Sequence, residues 1–178
     1  MEFNFITFSG NGEPTLYPQF AEVVEEVANL RNKYRPQLKV ALLSNSTGLV
    51  RQDVRESLSK IDYPVLKLDA GTEIKFEEVN RSAAGVNFSD ILDSLSSVED
   101  FFIQTVLIDG IPSNATAEDL IAYVQKISQV QPKEVHIYSI DRPVPNRKIS
   151  LVAKKRLEEI AIWGEKESGV KIRPFYLQ

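Results

Sequence analysis

Cysteine is absent from this chain of 178 residues, and histidine occurs once, as His136. The absence of cysteine excludes disulfides, thiolate metal sites and a cysteine nucleophile within these residues. One histidine cannot build a site that needs several imidazole ligands. Long apolar runs are also lacking, since the longest, such as Val40–Leu43, have the length of a strand. We therefore expect no resident metal and no membrane partner.

Neither sign of charge dominates the chain. Lys and Arg number 21 against 25 Asp and Glu, and the formal net charge of −4 does not predict a general nucleic-acid-binding surface. The N-terminal residues lack a basic stretch followed by an apolar one, so the sequence predicts a cytoplasmic protein without a secretory signal. Length and a hydrophobic content of 43% are typical of one domain, which we expect over residues 1–178.

Apolar runs alternate along the chain with segments of helical period. Near-continuous apolar runs are typical of parallel strands that are covered on both faces. Right-handed crossovers between such strands predict an α/β fold with a mostly parallel sheet, either open and doubly wound or a partial (β/α) barrel. The predicted strands are Phe3–Ser9, Val40–Ser44, Val65–Asp69, Phe101–Ile108, Glu134–Ile140 and Lys171–Phe175.

Helical spacing and capping patterns fill the connections. Thr116, with Asp119 three residues later, resembles a capping box and predicts a helix start. Other helices are predicted around Phe20–Leu30, over Gln52–Lys60, after Asn87 or Ser89, and from Ser150 to Gly169.

One rim of the predicted sheet is polar. Ligands bind beyond the carboxyl ends of parallel strands in both candidate architectures. Each of the first five strands becomes polar at that end, which indicates a pocket there. The strand ends read Ser9-Gly10-Asn11, Ser44-Asn45-Ser46, Lys67-Leu68-Asp69, Asp109-Gly110 and Ser139-Ile140-Asp141.

The turn Gly10-Asn11-Gly12-Glu13-Pro14 follows the first strand. Two glycines permit positive φ and a close approach of the backbone to a ligand. A carboxylate beside exposed N–H and C=O groups suits a ligand with an amino group or a hydroxyl, whereas it would repel a phosphate. The alternative interpretation is an ordinary strand-to-helix turn.

Lys67 interrupts an otherwise apolar strand, and the period of two places it on one face with Val65 and Asp69. A buried lysine needs a partner, for which Asp69 is the candidate. The pair is either a structural ion pair or a pocket group in which Lys67 meets a ligand carboxylate.

Two later strands also carry polar side chains. Gln104 is either a satisfied core amide or a residue that lines a barrel interior. His136 and Tyr138 share one strand face, where a lone histidine is more often a hydrogen-bonded core residue than a catalyst.

Several of these segments carry a resemblance to a known family. The segment Phe5–Pro18 resembles the second strand and the ligand-binding turn of radical S-adenosylmethionine (SAM) enzymes. Together with the segments below, it is similar to the Fe–S oxidoreductase branch related to wyosine-type tRNA-modifying enzymes, over nearly the whole chain in order. The further segments are Leu43–Thr47, Lys67–Thr72, Phe76, Asn80-Arg81, Ile103–Thr105 and Ile140–Pro143.

The resemblance implies roles at the first strand ends. The Gly10–Pro14 turn would bind the methionyl amino group of SAM through backbone carbonyls, with Glu13 helping to hold the turn. Asn45 would lie near the methionine or ribose, and Lys67 and Asp69 would face the methionine carboxylate or ribose.

The resemblance also implies roles for residues of the later strands. Gln104 would line the barrel interior, and Tyr138 and Ser139 would lie near the adenine.

The family holds a four-iron four-sulfur cluster on cysteine thiolates in a loop after its first barrel strand. This chain has no cysteine and begins at what resembles the second strand. The resemblance therefore implies a truncated core, without the first strand–helix unit and inactive alone, whose full-length parent would carry the cluster and act on a substrate such as tRNA. The strand Phe3–Phe8 would be an uncovered edge, masked by self-association or by Met1–Asn4 folding back.

Two other hypotheses remain open from the residues. The chain is a non-enzymatic module that binds nucleosides, SAM or a protein partner, or it is an unrelated barrel enzyme. The second would use Lys67 with rim carboxylates, namely Glu13, Asp69 and Asp109, for acid–base or Schiff-base chemistry.

Overall fold

A seven-stranded sheet organises the chain in the computed structural model, which describes residues 4–142 and 144–176. The strand order is β1-β2-β3-β4-β5-β7, with all neighbours parallel, and β6 pairs with β4 in the antiparallel sense. The sheet is not closed, so the predicted partial barrel is confirmed. The strands are β1 (Phe5–Phe8), β2 (Lys39–Ser44), β3 (Tyr63–Lys67), β4 (Phe102–Gly110), β5 (Glu134–Ser139), β6 (Ile149–Leu151) and β7 (Ile172–Pro174).

Helices fill the connections, and the predicted capping pattern at Thr116 is confirmed. The Thr116 hydroxyl oxygen accepts the Asp119 N–H at 3.2 Å and starts a 14-residue helix. The helices are α1 (Phe20–Tyr34), α2 (Gln52–Ser57), α3 (Glu73–Asn80), α4 (Phe88–Ser96), α5 (Ala117–Val130) and α6 (Lys154–Ser168), with short 3₁₀ turns at Pro14–Leu16, Thr47–Val50 and Leu58–Lys60.

The helices cover one face of the sheet, and the hydrophobic core lies between the two layers. Along β4, Ile103 and Leu107 are buried in this core, whereas the alternate residue Gln104 is only half-buried. On β2 and β3, Leu43 and Tyr63 are 42% and 39% exposed. The expectation that both faces are covered is therefore wrong for the described residues, because the open sheet leaves its concave face accessible.

Two elements differ from the sequence prediction. Ser150 was expected to start the last helix, but it lies in β6 opposite Asp109, and α6 starts only at Lys154. The strand has only three residues, with Ser150 between Ile149 and Leu151, so it is too short for a pattern to reveal. The helix α3 was not predicted, because Phe76 is its single buried side chain and it has little amphipathic pattern.

The strand β1 forms one edge of the sheet, and its Phe5 is half-exposed. Self-association through this edge stays a prediction, which sedimentation velocity over a concentration series would test. The expected folding back of Met1–Asn4 involves residues 1–3, which lie outside the described residues, as does Pro143 of the last resembling segment. The single domain over residues 1–178 also stays a prediction. Among the helices of residues 4–142 and 144–176, none combines the length and the apolar content that a membrane span requires.

Candidate functional site

The Glu13 carboxylate holds the turn that follows β1. Its Oε1 accepts hydrogen bonds from the Thr15 N–H at 3.0 Å, the Thr15 hydroxyl at 2.6 Å and the Ser44 hydroxyl at 2.8 Å. Its Oε2 accepts the Asn45 N–H at 2.6 Å. Glu13 therefore ties the β1 turn to the end of β2. These four donors favour the role that the resemblance implies, in which Glu13 helps to hold the turn, over a carboxylate offered to a ligand amino group.

The 3₁₀ segment Thr47–Val50 also packs against the turn, where Gly48 lies next to Thr15. A Cβ on Gly48 would stand 2.1 Å from the Thr15 hydroxyl oxygen, so only glycine lets these two backbones approach so closely. Arg51 then donates to the carbonyls of Tyr17 at 2.9 Å and Pro18 at 2.7 Å. Sequence reasoning missed Gly48 and Arg51, since neither lies in an apolar run or a recognised motif.

The glycines of the turn lie on its exposed side. Neither Gly10 nor Gly12 has a positive φ, and a Cβ built on either would meet no atom within 4 Å. The expected use of glycine for positive φ is therefore wrong here. Their contribution is backbone without a side chain at two positions of the polar rim, separated by Asn11. At these two positions a ligand can approach the backbone closely.

Asn45 follows β2 directly beside the turn. Its side-chain oxygen accepts from the Thr47 N–H at 3.0 Å and from the Thr47 hydroxyl at 2.6 Å, while its own N–H donates to Glu13. The residue is exposed at the rim, as the strand-end pattern predicts. Its side-chain oxygen is already hydrogen-bonded to Thr47 in the following turn.

Lys67 and Asp69 form the ion pair that the sequence predicts. The Lys67 Nζ lies 3.2 Å from Asp69 Oδ2, and the Asp69 side chain is fully buried. Burial disfavours the charge on Lys67, but the Asp69 carboxylate and Tyr138 together outweigh this effect, and the pKa of Lys67 lies above its ordinary value. A Schiff-base lysine needs the opposite shift, because the neutral amine is the nucleophile. The pair therefore provides a cation at the rim.

Asp69 is held by residues that sequence reasoning did not assign to the site. Its Oδ1 accepts the Val106 N–H at 2.8 Å, and its Oδ2 accepts the Asn80 amide at 2.8 Å. The Asn114 amide donates to the Asp69 carbonyl at 2.8 Å and also to the Val106 carbonyl at 2.8 Å. Burial raises the pKa of the Asp69 carboxyl, against the opposing effect of Lys67 and these donors. The network joins the end of β3 to β4 and α3.

A cavity of about 330 Å³ opens on the concave face beside β4 and β5. This volume lies within the range of small-molecule sites. Half-buried side chains at its wall offer an amide, a phenol and an imidazole, and exposed side chains add a carboxylate and a phenyl ring. Its lining includes Gln104, His136, Tyr138, Ser139, Asp141 and Phe175.

The groups that line this cavity are not all available to a ligand. The Ser139 hydroxyl donates to the Leu107 carbonyl at 2.7 Å and accepts the Val152 N–H at 2.8 Å, so its role is structural. His136 is hydrogen-bonded to Glu134 at 3.1 Å, as the core interpretation expects, but its ring faces the cavity. Burial raises the pKa of Tyr138, which therefore stays a neutral donor at physiological pH.

The donor set suits SAM and does not suit an iron–sulfur cluster. A bare turn, a lysine cation and a cavity with an amide and a phenol match an amino-acid group joined to a nucleoside. The chain holds no cysteine, and within residues 4–142 and 144–176 no cluster of three His, Asp or Glu side chains is placed for a metal. Thiolate ligation of a cluster therefore cannot come from these residues.

Comparison with known proteins gives two kinds of relative. No protein-family model matches the chain. A UPF0026 protein of Synechocystis is 32% identical over 149 residues, which are 81% of this chain and 53% of that protein. A UPF0026 protein of Helicobacter pylori is 28% identical over 144 residues, 78% of this chain and 44% of that protein. The chain thus spans about half the length of these curated relatives.

Solved structures of radical SAM enzymes share the fold. A domain of pyruvate-formate lyase-activating enzyme from Bacteroides vulgatus has a TM-score of 0.70 at 15% identity, covering 97% of this chain and 99% of that chain. TYW1 with a lysine-pyruvate adduct bound has a TM-score of 0.71 at 18% identity, covering 94% and 52%. SuiB of Streptococcus suis bound to S-adenosylmethionine has a TM-score of 0.69 at 16% identity, covering 98% and 40%. The resemblance inferred from the sequence is confirmed at the level of the fold.

Proposed function

We propose that this chain is the SAM-binding portion of a radical SAM Fe–S oxidoreductase core. The observation that carries the proposal is the position of two groups on one rim. The bare Gly10–Pro14 turn, held by Glu13, follows β1, and the Lys67 cation ends β3 on the other side of β2. SuiB, a structure with the same fold, is bound to SAM.

Each part of SAM has a matching group on this rim. The turn would accept the methionyl ammonium through its backbone carbonyls, and Lys67 would pair with the methionine carboxylate. The ribose and adenine would extend toward the cavity of about 330 Å³, where Gln104 and Tyr138 offer hydrogen-bonding groups and Phe175 offers an aromatic face. Asn45 would offer its side-chain NH₂ group, since its side-chain oxygen already accepts from Thr47. Ser139 would support the site through the backbone, since its hydroxyl is already hydrogen-bonded.

The cluster that radical SAM chemistry needs would be supplied from outside these residues. Its thiolates have no counterpart in the chain, so we expect the chain alone to be catalytically inactive. Anaerobic incubation with iron and sulfide followed by desalting should leave no protein-bound iron. Retention of about four irons per chain would contradict this part of the proposal.

The longer protein would act in the branch related to wyosine-type tRNA modification, in the cytoplasm and with tRNA as the substrate. The sequence resemblance and the shared fold with TYW1 support this proposal. A mobility-shift titration of the longer protein with tRNA tests it, with a DNA hairpin of equal length as the control. Equal affinity for both would indicate non-specific charge contacts and would contradict the assignment.

Isothermal titration calorimetry of the chain with SAM and S-adenosylhomocysteine tests the binding site. We expect saturable binding at one site, weakened about tenfold by K67M and by E13A, because each removes a group that recognises or shapes the amino-acid end. The matched control E26A changes an exposed glutamate of α1 and should bind as the wild type. No saturable heat from either ligand at millimolar concentration would refute the proposed function.

A further inference from the structure

Ser46 adopts a backbone conformation that serine rarely occupies. Its φ is 72° and its ψ is −6°, in the left-handed region, and the residue is fully buried. This region disfavours any residue with a Cβ, so a serine persists there only if surrounding interactions compensate the strain.

Helix ends explain two other residues of this kind but neither Ser46 nor Asp100, of which Asp100 lies in an exposed bend before β4. Arg81 and Gln131 also have positive φ, and each directly follows the last residue of a helix, where the left-handed conformation is common. Ser46 instead stands between β2 and the 3₁₀ turn Thr47–Val50, in the middle of the polar rim.

The hydrogen bonds of Ser46 run in two directions along that rim. Its hydroxyl donates to the Lys67 carbonyl at 2.8 Å, at the end of β3. Its N–H donates to the Ser44 hydroxyl oxygen at 3.0 Å, and that hydroxyl donates to Glu13 Oε1 at 2.8 Å. A continuous chain of hydrogen bonds therefore connects the carboxylate that holds the turn to the backbone of the lysine.

The left-handed conformation makes both contacts possible. Ser46 N–H bonds back to Ser44 while its hydroxyl reaches forward to the neighbouring strand. Other rotamers or an extended backbone would direct one of these groups elsewhere. Because the residue is fully buried, water cannot replace the bond to Lys67 without a rearrangement of the rim.

We propose that Ser46 is a positioning residue that sets the spacing between the Gly10–Pro14 turn and Lys67, and so selects ligands that carry a complete α-amino-acid group. The proposal rests on the proposed function, since it specifies how the same site recognises its ligand. An ammonium at the turn and a carboxylate at Lys67 belong to one rigid group of the ligand, so their receptors must be held at a fixed separation. The nucleoside end lies elsewhere and does not depend on Ser46.

A pair of ligands separates this role from a general structural one. S-adenosylhomocysteine carries both the nucleoside and the amino-acid group, whereas 5′-methylthioadenosine carries the nucleoside without the amino acid. In S46G, glycine keeps the left-handed backbone but removes the hydroxyl. We expect S46G to weaken S-adenosylhomocysteine binding about tenfold and 5′-methylthioadenosine binding less than about twofold. The control S59A removes an exposed serine hydroxyl that also donates to a backbone carbonyl, and it should change neither affinity.

Equal weakening of both ligands, or unchanged binding of S-adenosylhomocysteine to S46G, would overturn the inference and leave the proposed function intact. If the wild-type chain bound neither ligand, the proposed function would fail and the ligand selection by Ser46 with it. The hydrogen-bonded connection between Ser46 and the turn would then be tested on the ligand-free protein. Amide exchange by NMR should then be about tenfold faster in S46G than in S59A at the Asn45 N–H, which bonds to Glu13. Equal exchange rates would refute the connection between Ser46 and the turn.

Discussion

The Lys67 ammonium lies 3.2 Å from the Asp69 carboxylate, yet the two residues are buried to different degrees. The Asp69 side chain is fully buried and accepts hydrogen bonds from Val106 and Asn80. The Lys67 side chain is 31% exposed. A buried carboxylate thus holds a lysine whose charged end still reaches the rim. The ion pair is confirmed, and recognition of a ligand carboxylate by Lys67 stays a prediction.

Replacement of Asp69 tests this relationship. In D69N the lysine loses its counter-charge but remains partly buried, so we expect the pKa of Lys67 to fall and the free energy of unfolding to drop by about 2 kcal/mol. Nitrogen-15 NMR titration of the lysine side chains and urea denaturation measure the two effects. The control D93N changes an exposed aspartate of α4 and should leave both unaffected. An unchanged Lys67 pKa in D69N would show that Asp69 does not set its charge.

Removal of the Glu13 carboxylate should weaken the fold as well as the proposed site. E13A deprives four donors of their acceptor, at Thr15, Ser44 and Asn45. Since water can reach part of this turn and replace some of these bonds, we expect a loss of about 2–3 kcal/mol rather than their sum. Urea denaturation of E13A beside E26A measures the difference. A loss below about 0.5 kcal/mol would mean that the turn is held by Arg51 and Gly48 instead.

Substitution by alanine should destabilise the protein at Gly71 but not at Gly12. A Cβ on Gly71 would stand 2.2 Å from the Tyr123 backbone nitrogen, at the contact between the β3–α3 loop and α5. G71A should therefore cost about 3 kcal/mol or prevent folding, because neither backbone can move away cheaply. A Cβ on Gly12 meets nothing within 4 Å, so G12A should keep the stability of the wild type. Similar thermal midpoints for the two variants would contradict this contact.

Alkaline pH should destabilise the protein through Tyr123 and Lys67. Burial raises the pKa of Tyr123, so above the ordinary tyrosine value of 10.0 the unfolded chain releases a proton that the folded chain retains. The raised pKa of Lys67 acts in the same direction, since its contribution is complete below its ordinary value of 10.5 and is lost above it.

The measurement is urea denaturation between pH 9 and 11.5. The stability of Y123F should fall less steeply than that of the wild type, by about 1.4 kcal/mol per pH unit for one proton. The variant Y34F, at a tyrosine that is 58% exposed, should retain the wild-type slope. Equal slopes for Y123F and the wild type would show that Tyr123 ionises as readily in the folded protein as in the unfolded chain.

Prediction from the sequence succeeded where a regular hydrophobic period or a local capping hydrogen bond determines the secondary structure. The parallel strands were found because their apolar runs pack against helices, and Thr116 was found because its cap bond is local. Prediction failed for β6 and α3, whose few apolar residues take their structure from pairing with β4 and from packing against α4. The exposed concave face was also missed, since a strand sequence does not reveal whether the sheet closes around it.

The candidate site divides in the same way. The sequence by itself determined that polar residues would meet at the carboxyl ends of the strands, that Lys67 would pair with Asp69, and that no thiolate could come from this chain. The resemblance implied that Glu13 helps to hold the turn, but only the tertiary structure decided which donors it binds and that Ser46 links the turn to Lys67. The physical reason is distance along the chain. A sequence pattern reports interactions among residues a few positions apart, such as the pair Lys67 and Asp69. The hydrogen bonds of Ser46 and Glu13 join residues 21 and 32 positions apart, which only the packed sheet brings together.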